Sequence, residues 1–466
     1  MFLIIIGVLV YSNSINSPFI YDDNVLVGNN VLIRSFSNIP VLFKDILHLE
    51  IMGNSFRPLQ IITYMMDYKV WGYYSMGYHL TNMIIHIFNA ILLYFLVVFL
   101  IKKNTAPFLI ALFFLIHPIN TQAVSYISGR ADLLGALFVL ASLLFYIRFL
   151  EYRKSLLIFP ALLLFALGIL SKEIVIFSPL IFISYEIVFK RKISKVIWLF
   201  IFISLAYVAI RSIALSNFMA CPIPWPKRFL MAPLLFFKYL GVVFLPLNLR
   251  LSYVFDFVNS FWSLKFIVPF ILLLVVGGVG YLVRNNKAQL FGLVWYSINF
   301  LFISNVIYPL NAPFAEHWIY LGLPGLLIFL IPVLGRFFEK ISFPARGSIM
   351  LIFSLVIAYS FLTFKRNGEW SDPVVFYNKE IRFTPTNFKA HFNLGKIYFN
   401  QEKYSLAEEE FKKVLIFNPG DYSVFFALGL VKEKKNDFKN AIIFYQESLR
   451  LNPGFKEAEK RLNVLK

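Results

Sequence analysis

Two adjacent carboxylates, Asp22 and Asp23, stand in the stretch PFIYDDN beside Phe19, Ile20 and Tyr21. Like charges next to apolar groups push one carboxyl pKa upward, through repulsion and lost hydration. A carboxylate poised in that way accepts a proton from an attacking hydroxyl. The same residue types also make an ordinary loop start or helix cap, and both readings stay open. Cations follow at Arg57, Arg130 and Lys172, with Arg211 further along. An arginine at a membrane surface clamps a phosphate with paired N–H donors. It also snorkels along lipid with no ligand at all. Around these cations lie His79 in GYHLTN, HP at 117–118, Asp132 in SGRAD, Glu173 in SKE, and Glu316-His317 in AEHWIYL. A base for an incoming hydroxyl and cations for a departing phosphate are what a transfer from a lipid phosphate requires.

Other chemistries lack their residues. The sequence has no HExxH, no Walker loop and no dinucleotide fingerprint. His79 and His86 are seven apart, which sets His86 two turns deeper and makes a metal pair a poor reading. No metal and no cofactor is expected. The single Cys221 cannot form an intrachain disulfide.

The elements that must position these residues are membrane helices. Of 466 residues, 59% are hydrophobic and 15% charged, whereas soluble domains carry about a quarter charged residues. The 54 phenylalanines exceed what one compact core hides, so the surplus faces lipid. Apolar runs near the twenty residues needed to span fall at 1–16, 78–101, 106–124, 131–149, 155–171, 174–189, 193–215, 265–284, 288–306, 318–336 and 346–364. A further run, 229–247, contains Pro233, Lys238, Gly241 and Pro246 and reads as re-entrant or cavity-facing.

The formal charge is +19. Much of it sits in short loops: Lys102-Lys103, Arg148/Arg153/Lys154, Lys190-Arg191-Lys192/Lys195, Arg284/Lys287 and Arg336/Lys340/Arg346. The positive-inside rule accounts for that placement, and no nucleic-acid partner is expected. All these loops share the cytoplasmic side if eleven runs cross and 229–247 does not. The N-terminus is then cytoplasmic and the C-terminus outside. The first run is short for a span. It has no preceding Lys or Arg, and Asn13, Ser14, Asn16 and Ser17 follow, so it reads as an uncleaved segment. The ionisable residues, including Asp45 and Glu50, gather on the outer face, while a transporter places them near the midplane.

After Trp370 a 34-residue period appears. Leu394, Gly395, Ala407, Phe411 and Pro419 recur as Leu428, Gly429, Ala441, Tyr445 and Pro453, and Lys432 breaks the pattern where Tyr398 predicts an aromatic. This is the tetratricopeptide pattern, with units at 388–421 and 422–455. Two units do not bury both their faces, so a preceding helix at 371–385 and a polar capping helix at 455–466 are expected. The expected fold is all-α: a membrane domain over 1–364 with a first outer loop at 17–77, a short link at 365–370, and a solenoid over 371–466.

Read in order, YDD, SFRPL, GYHLTN, HP, GRAD, SKE and AEH-x-x-YL resemble the transmembrane and tetratricopeptide-repeat O-mannosyltransferases, the family acting on cadherins. The resemblance covers nearly the whole chain. It implies a GT-C membrane glycosyltransferase that uses a polyprenyl-phosphate sugar and an acidic residue of the first outer loop. Asp22 and Asp23 would be the catalytic pair, with Asp22 favoured by motif position. Arg57, Arg130 and Lys172 would face the phosphate and Glu316 the cavity floor, with His79, Asp132, Glu173 and His317 completing the substrate-binding set. His317 stands where that family is expected to carry Arg, so a permanent charge becomes conditional. The repeats are fewer than in that family, so its acceptor choice does not carry over. Low cysteine and an Ile/Phe/Lys/Asn-rich composition point to a bacterial relative in the inner membrane, with the repeats outside. The implied reaction moves a sugar, mannose by resemblance, to a hydroxyl of an exported protein held by the repeats, with inversion. A membrane-anchored scaffold without catalysis, and a transferase acting on a lipid or glycan, are the alternatives.

Overall fold

The structure is a computed structural model that describes residues 1–44, 56–101, 105–190, 192–214, 223–310, 312–341 and 344–465. Asp45, Glu50, Lys102, Lys103, Arg191 and Cys221 lie outside the described residues. Every regular element among the described residues is a helix. The chain divides into two compact units, Met1–Gly368 and Glu369–Lys466.

Among the described residues, four helices are long and apolar enough to cross a membrane: Ser75–Leu100, Ile127–Tyr152, Leu264–Leu282 and Arg346–Ser371. A fifth is reached if Thr105–Ile116 and Pro118–Val124, bent by 47° at their junction, count as one span. About eleven were expected from sequence, and the difference has a physical cause. Hydropathy measures how apolar a run is and not whether one helix carries it. Run 174–189 breaks into a 3-10 turn Glu173–Phe177, a helix Ser178–Tyr185 with Pro179 in its first turn, and a π turn Glu186–Lys190. Run 155–171 contains the 12-residue helix Ile158–Ile169, roughly 18 Å long at 1.5 Å per residue against about 30 Å of hydrocarbon. The first run forms a 10-residue helix, Phe2–Tyr11. Segment 229–247 lies mostly in one helix, Trp225–Phe244, with Pro233 inside it, and it is not among the candidate spans.

The expected link at 365–370 is helical, because Ala345–Ser371 runs through it. Side chains tie this stretch into the first unit. Thr363 donates to the Ile116 carbonyl (2.6 Å), Asn367 donates to the Val10 carbonyl (3.0 Å), and the Ser125 hydroxyl donates to Asn367 Oδ1 (2.6 Å).

The second unit is a run of helices: Pro373–Phe383, Phe388–Asn400, Tyr404–Phe417, Tyr422–Lys434, Phe438–Leu451 and Lys456–Leu465. The 34-residue period reappears in the backbone. Glu402 and Asn436 turn the chain with φ of 60° and 59°, and Gly395 and Gly429 admit the rings of Phe411 and Tyr445 where a Cβ would come within 2.6 and 2.4 Å. Ala407 and Ala441 are fully buried. Lys432, the break in the pattern, reaches Glu408 at 3.1 Å, as do Lys412 and Lys435 at 2.8 and 2.9 Å. Burial raises the Glu408 pKa, but these lysines outweigh it and hold the carboxyl at about 2.

Candidate functional site

The acidic turn begins with Tyr21 in the left-handed region at φ 52°, a costly conformation for a side chain of that size. It sends two neighbouring carboxylates to different places. Asp23 is fully buried, and its Oδ1 accepts from the Ser128 amide (2.8 Å) and hydroxyl (2.6 Å). Its Oδ2 accepts from the Ile20 amide at 3.4 Å. Burial raises its pKa to about 7, against the pull of the Ser128 and Ile20 hydrogen bonds, and Asp22 adds to the rise. Asp22 is exposed, and its amide donates to the Tyr126 hydroxyl at 3.1 Å. Beneath the turn, Val27, Ile33, Ile61, Tyr64, Tyr78 and Ile127 form a small core that fixes the first loop to the helix Pro58–Trp71. His79 is buried, with Nε2 3.0 Å from the Ser17 carbonyl oxygen, so it braces the approach to the turn.

Five residues, Ser128 to Asp132, organise the rest. A Cβ at Gly129 would lie 2.6 Å from the Ala123 carbonyl and 2.7 Å from that of Gln122, so only glycine lets this segment press against the preceding backbone. Ser128 holds Asp23. Arg130 is fully buried: it pairs with Asp67 at 2.5 Å and donates to Asn82 Oδ1 (2.7 Å) and the Tyr78 carbonyl (2.8 Å). Its guanidinium also lies over the Tyr64 ring, 4.6 Å from the centroid. Asp132 accepts from Lys172 at 3.0 Å. Arg130, expected by resemblance to face a phosphate, is placed in the frame of the site, its nitrogens engaged by protein.

Beyond Asp132 is a second group of ions. Arg57 makes a bidentate pair with Glu173 at 2.9 and 2.6 Å, and Arg211 stands 3.9 Å from the same carboxylate. His317 lies 4.0 Å from Asp132. Burial lowers the His317 pKa to about 4 despite Asp132, so at neutral pH the ring carries no charge. Burial favours neutral Glu173, but Arg57 overrides it and holds the carboxyl well below its ordinary range. Burial, then repulsion from Arg57, lowers Lys172. The openings in this group are at Arg57 and His317, whose side chains are 20% and 22% exposed against 6–7% for Asp132 and Lys172.

Glu316 is fully buried, and its Oε1 accepts from both the Arg250 amide and the Tyr253 hydroxyl at 2.5 Å. It thereby pins segment 250–253, which sequence reading did not single out. Asp67 was missed as well. Its signal was spacing: Gln60, Tyr64 and Asp67 share one helix face. Among the described residues no group of three or more His, Cys, Asp or Glu is arranged to hold a metal ion.

Residues 388–421 and 422–455 each match a family model of the tetratricopeptide repeat. A protein O-mannosyl-transferase of Caenorhabditis elegans is 25% identical over 90% of this chain and 62% of its own length. Human protein O-mannosyl-transferase TMTC3 is 24% identical over 98% of this chain and 56% of its own. Human protein O-mannosyl-transferase TMTC1 is 32% identical over 32% of this chain and 17% of its own. The chain thus spans less than two thirds of the length of these relatives. It carries two tetratricopeptide repeats and is similar, over nearly its whole extent, to proteins named protein O-mannosyl-transferases.

Proposed function

We propose that the chain is a membrane O-mannosyltransferase that moves mannose from a polyprenyl-phosphate donor to a hydroxyl of an exported protein. The supporting observation is the segment Ser128–Asp132, which anchors the acidic turn at one end and the cation group at the other.

In this reading Asp22 is the base. It is the exposed carboxylate of the pair, while Asp23 is enclosed by protein donors. The acceptor oxygen attacks the anomeric carbon as Asp22 takes its proton, and the bond from that carbon to the phosphate oxygen breaks. One displacement inverts the anomeric centre. Arg57 and Lys172 stabilise the charge gathering on the departing polyprenyl phosphate, and the repeats present the acceptor. Placement of 371–466 outside the cytoplasm rests on the loop charges.

The test uses purified protein in lipid nanodiscs with polyprenyl-phosphate mannose and a pool of exported proteins. Mannose on Ser or Thr, dependent on Asp22, is the expected result. No transfer by the wild type, or transfer only to lipid or glycan, overturns it.

A further inference from the structure

The helix Trp225–Phe244 places Arg228, Met231 and Leu235 on one face, three and then four residues apart. With Phe257, Asn305 and Pro313 they line a cleft of about 230 Å³. Hydrogen bonds hold its walls together. The Val258 amide donates to the Met231 sulfur at 3.4 Å and ties that segment to the helix. Asn305 turns the chain at φ 65°, and its side-chain amide donates to the Ala312 and Pro313 carbonyls at 3.3 Å. The Asn305 backbone carbonyl accepts from Arg228 Nη1 at 2.7 Å. Among the described residues this is the guanidinium's one hydrogen bond, and its Nε is buried without an acceptor. The unused Nε–Nη2 edge is the one with which Arg57 grips Glu173. Arg228 has no such carboxylate. Among the described residues neither it nor Lys227, whose ammonium lies 5.8 Å from the centre of the Phe257 ring, makes an ion pair. A guanidinium with its bidentate edge unmatched, set beside apolar walls, lacks an anion.

The position of the cleft indicates which anion. The candidate span Leu264–Leu282 and the apolar helix Lys287–Ile303 are joined by a short link. They touch where a Cβ at Gly280 would lie 2.9 Å from Leu293, so the two form a hairpin. The start of the first and the end of the second therefore lie at one membrane surface. Phe257 precedes that start by seven residues and Asn305 follows that end by two. Trp262, 88% exposed, stands at the same start beside the exposed Phe261. Phe229 meets Phe261 at 6.4 Å and stacks with Trp225 at 5.5 Å. Exposed tryptophans at the end of a span mark the headgroup level. The guanidinium thus sits where lipid phosphates lie, and Met231, Leu235, Phe257 and Pro313 offer apolar walls to an acyl chain. Two unmatched cations, Arg228 and Lys227, favour a headgroup with net negative charge over a zwitterion.

We propose that this cleft binds an anionic glycerophospholipid of the bilayer, with the Nε–Nη2 edge of Arg228 on the phosphodiester oxygens and one acyl chain along Met231 and Leu235. The site shares no residue with the ion group at Arg57 and Lys172. It goes beyond the transfer reaction proposed above, and its occupancy is read without sugar transfer.

The test places purified wild-type protein in phosphatidylcholine nanodiscs with a phosphatidylglycerol that carries a diazirine in one acyl chain. Irradiation followed by peptide mass spectrometry locates the label. Enrichment at Met231, Leu235 or Phe257 is the expected result. Unlabelled phosphatidylglycerol should remove it, although the phosphatidylcholine of the disc does not. Arg228→Gln should lower the labelling of these residues by about tenfold, the scale of one charge-assisted hydrogen bond. Unchanged labelling in the folded variant refutes the phosphate contact, and if the variant does not fold, the wild-type competition decides. Label no richer here than over the exposed faces of Leu264–Leu282 overturns the site. Displacement by glycerol 3-phosphate as readily as by phosphatidylglycerol overturns the lipid assignment. Displacement by farnesyl phosphate at lower concentration than phosphatidylglycerol makes this a carrier-lipid site and overturns the choice of a glycerophospholipid.

Discussion

Around Arg130, the guanidinium, Asp67, Asn82 and two tyrosine rings close on one another with no exposed surface on the arginine. Around Arg57, a bidentate pair with Glu173 leaves a fifth of the arginine side chain open, with Arg211 beside the same carboxylate and Lys172 on Asp132. Both began as arginines in short motifs at the ends of apolar runs. Burial separates them. A buried charge must be matched by its own fold, so it has nothing left for a ligand, whereas a part-open cluster with surplus positive charge still has an anion to gain. The acidic pair divides along the same line, with Asp23 enclosed and Asp22 outside.

The most damaging change should be Arg130→Ala, which strands Asp67 in the core. Such a loss costs about 3–5 kcal/mol, and thermal unfolding in detergent should show a large drop or no folded protein. A variant that melts like the wild type would erase the distinction between enclosed and open ions. Next in size is Asp22→Asn. It should lower turnover by ~10²–10⁴ with little change in donor binding, as loss of a general base does. Its melting curve should match that of the wild type, and if neither Asn variant of the pair loses activity, the pair is structural.

Arg57→Ala should act more gently, raising the donor concentration required by ~10–100-fold, the worth of a charge-assisted hydrogen bond. Lys172→Ala should move the same quantity, and a fall in turnover alone would put both residues elsewhere in the reaction. The smallest effect concerns pH. Asp23 is raised from 3.8 to about 7 in the folded protein, so the stability it contributes is full below its unfolded pKa. That contribution is lost as pH rises through the folded value. Asp23→Asn removes this dependence. The melting temperature of the variant relative to the wild type should climb between about pH 4 and 7 and level off above. A flat difference would mean that Asp23 is ionised throughout.

Residue type and order singled out most residues of the candidate site, because SGRAD, SKE and AEH each place an ion at the end of an apolar run. The roles within it were not legible, since they turn on burial. Nothing in YDD says that Tyr21 takes φ 52° and parts the two carboxylates. Arg130 and Arg57 look alike until Asp67 and Asn82 are seen beside the first. The repeats were readable to the residue, since one packing geometry recurs every 34 positions and its small residues must recur with it. Fewer helices than apolar runs pass as candidate spans among the described residues for the converse reason: an apolar run persists through the change from 3-10 turn to helix at Ser178 or the 47° bend at His117, where one straight helix does not.

The segment from Ser128 to Asp132 has a consequence for how this protein can vary. Ser128, Arg130 and Asp132 hold three different partners, and from Arg130 onward the backbone is helical. A helix advances by about 100° per residue, so one inserted or deleted residue would swing Asp132 away from Lys172 while Ser128 kept its hold on Asp23. Substitution there weakens one contact at a time. A change of length rotates one half of the site against the other, which makes the number of residues in this stretch a harder constraint than their identity.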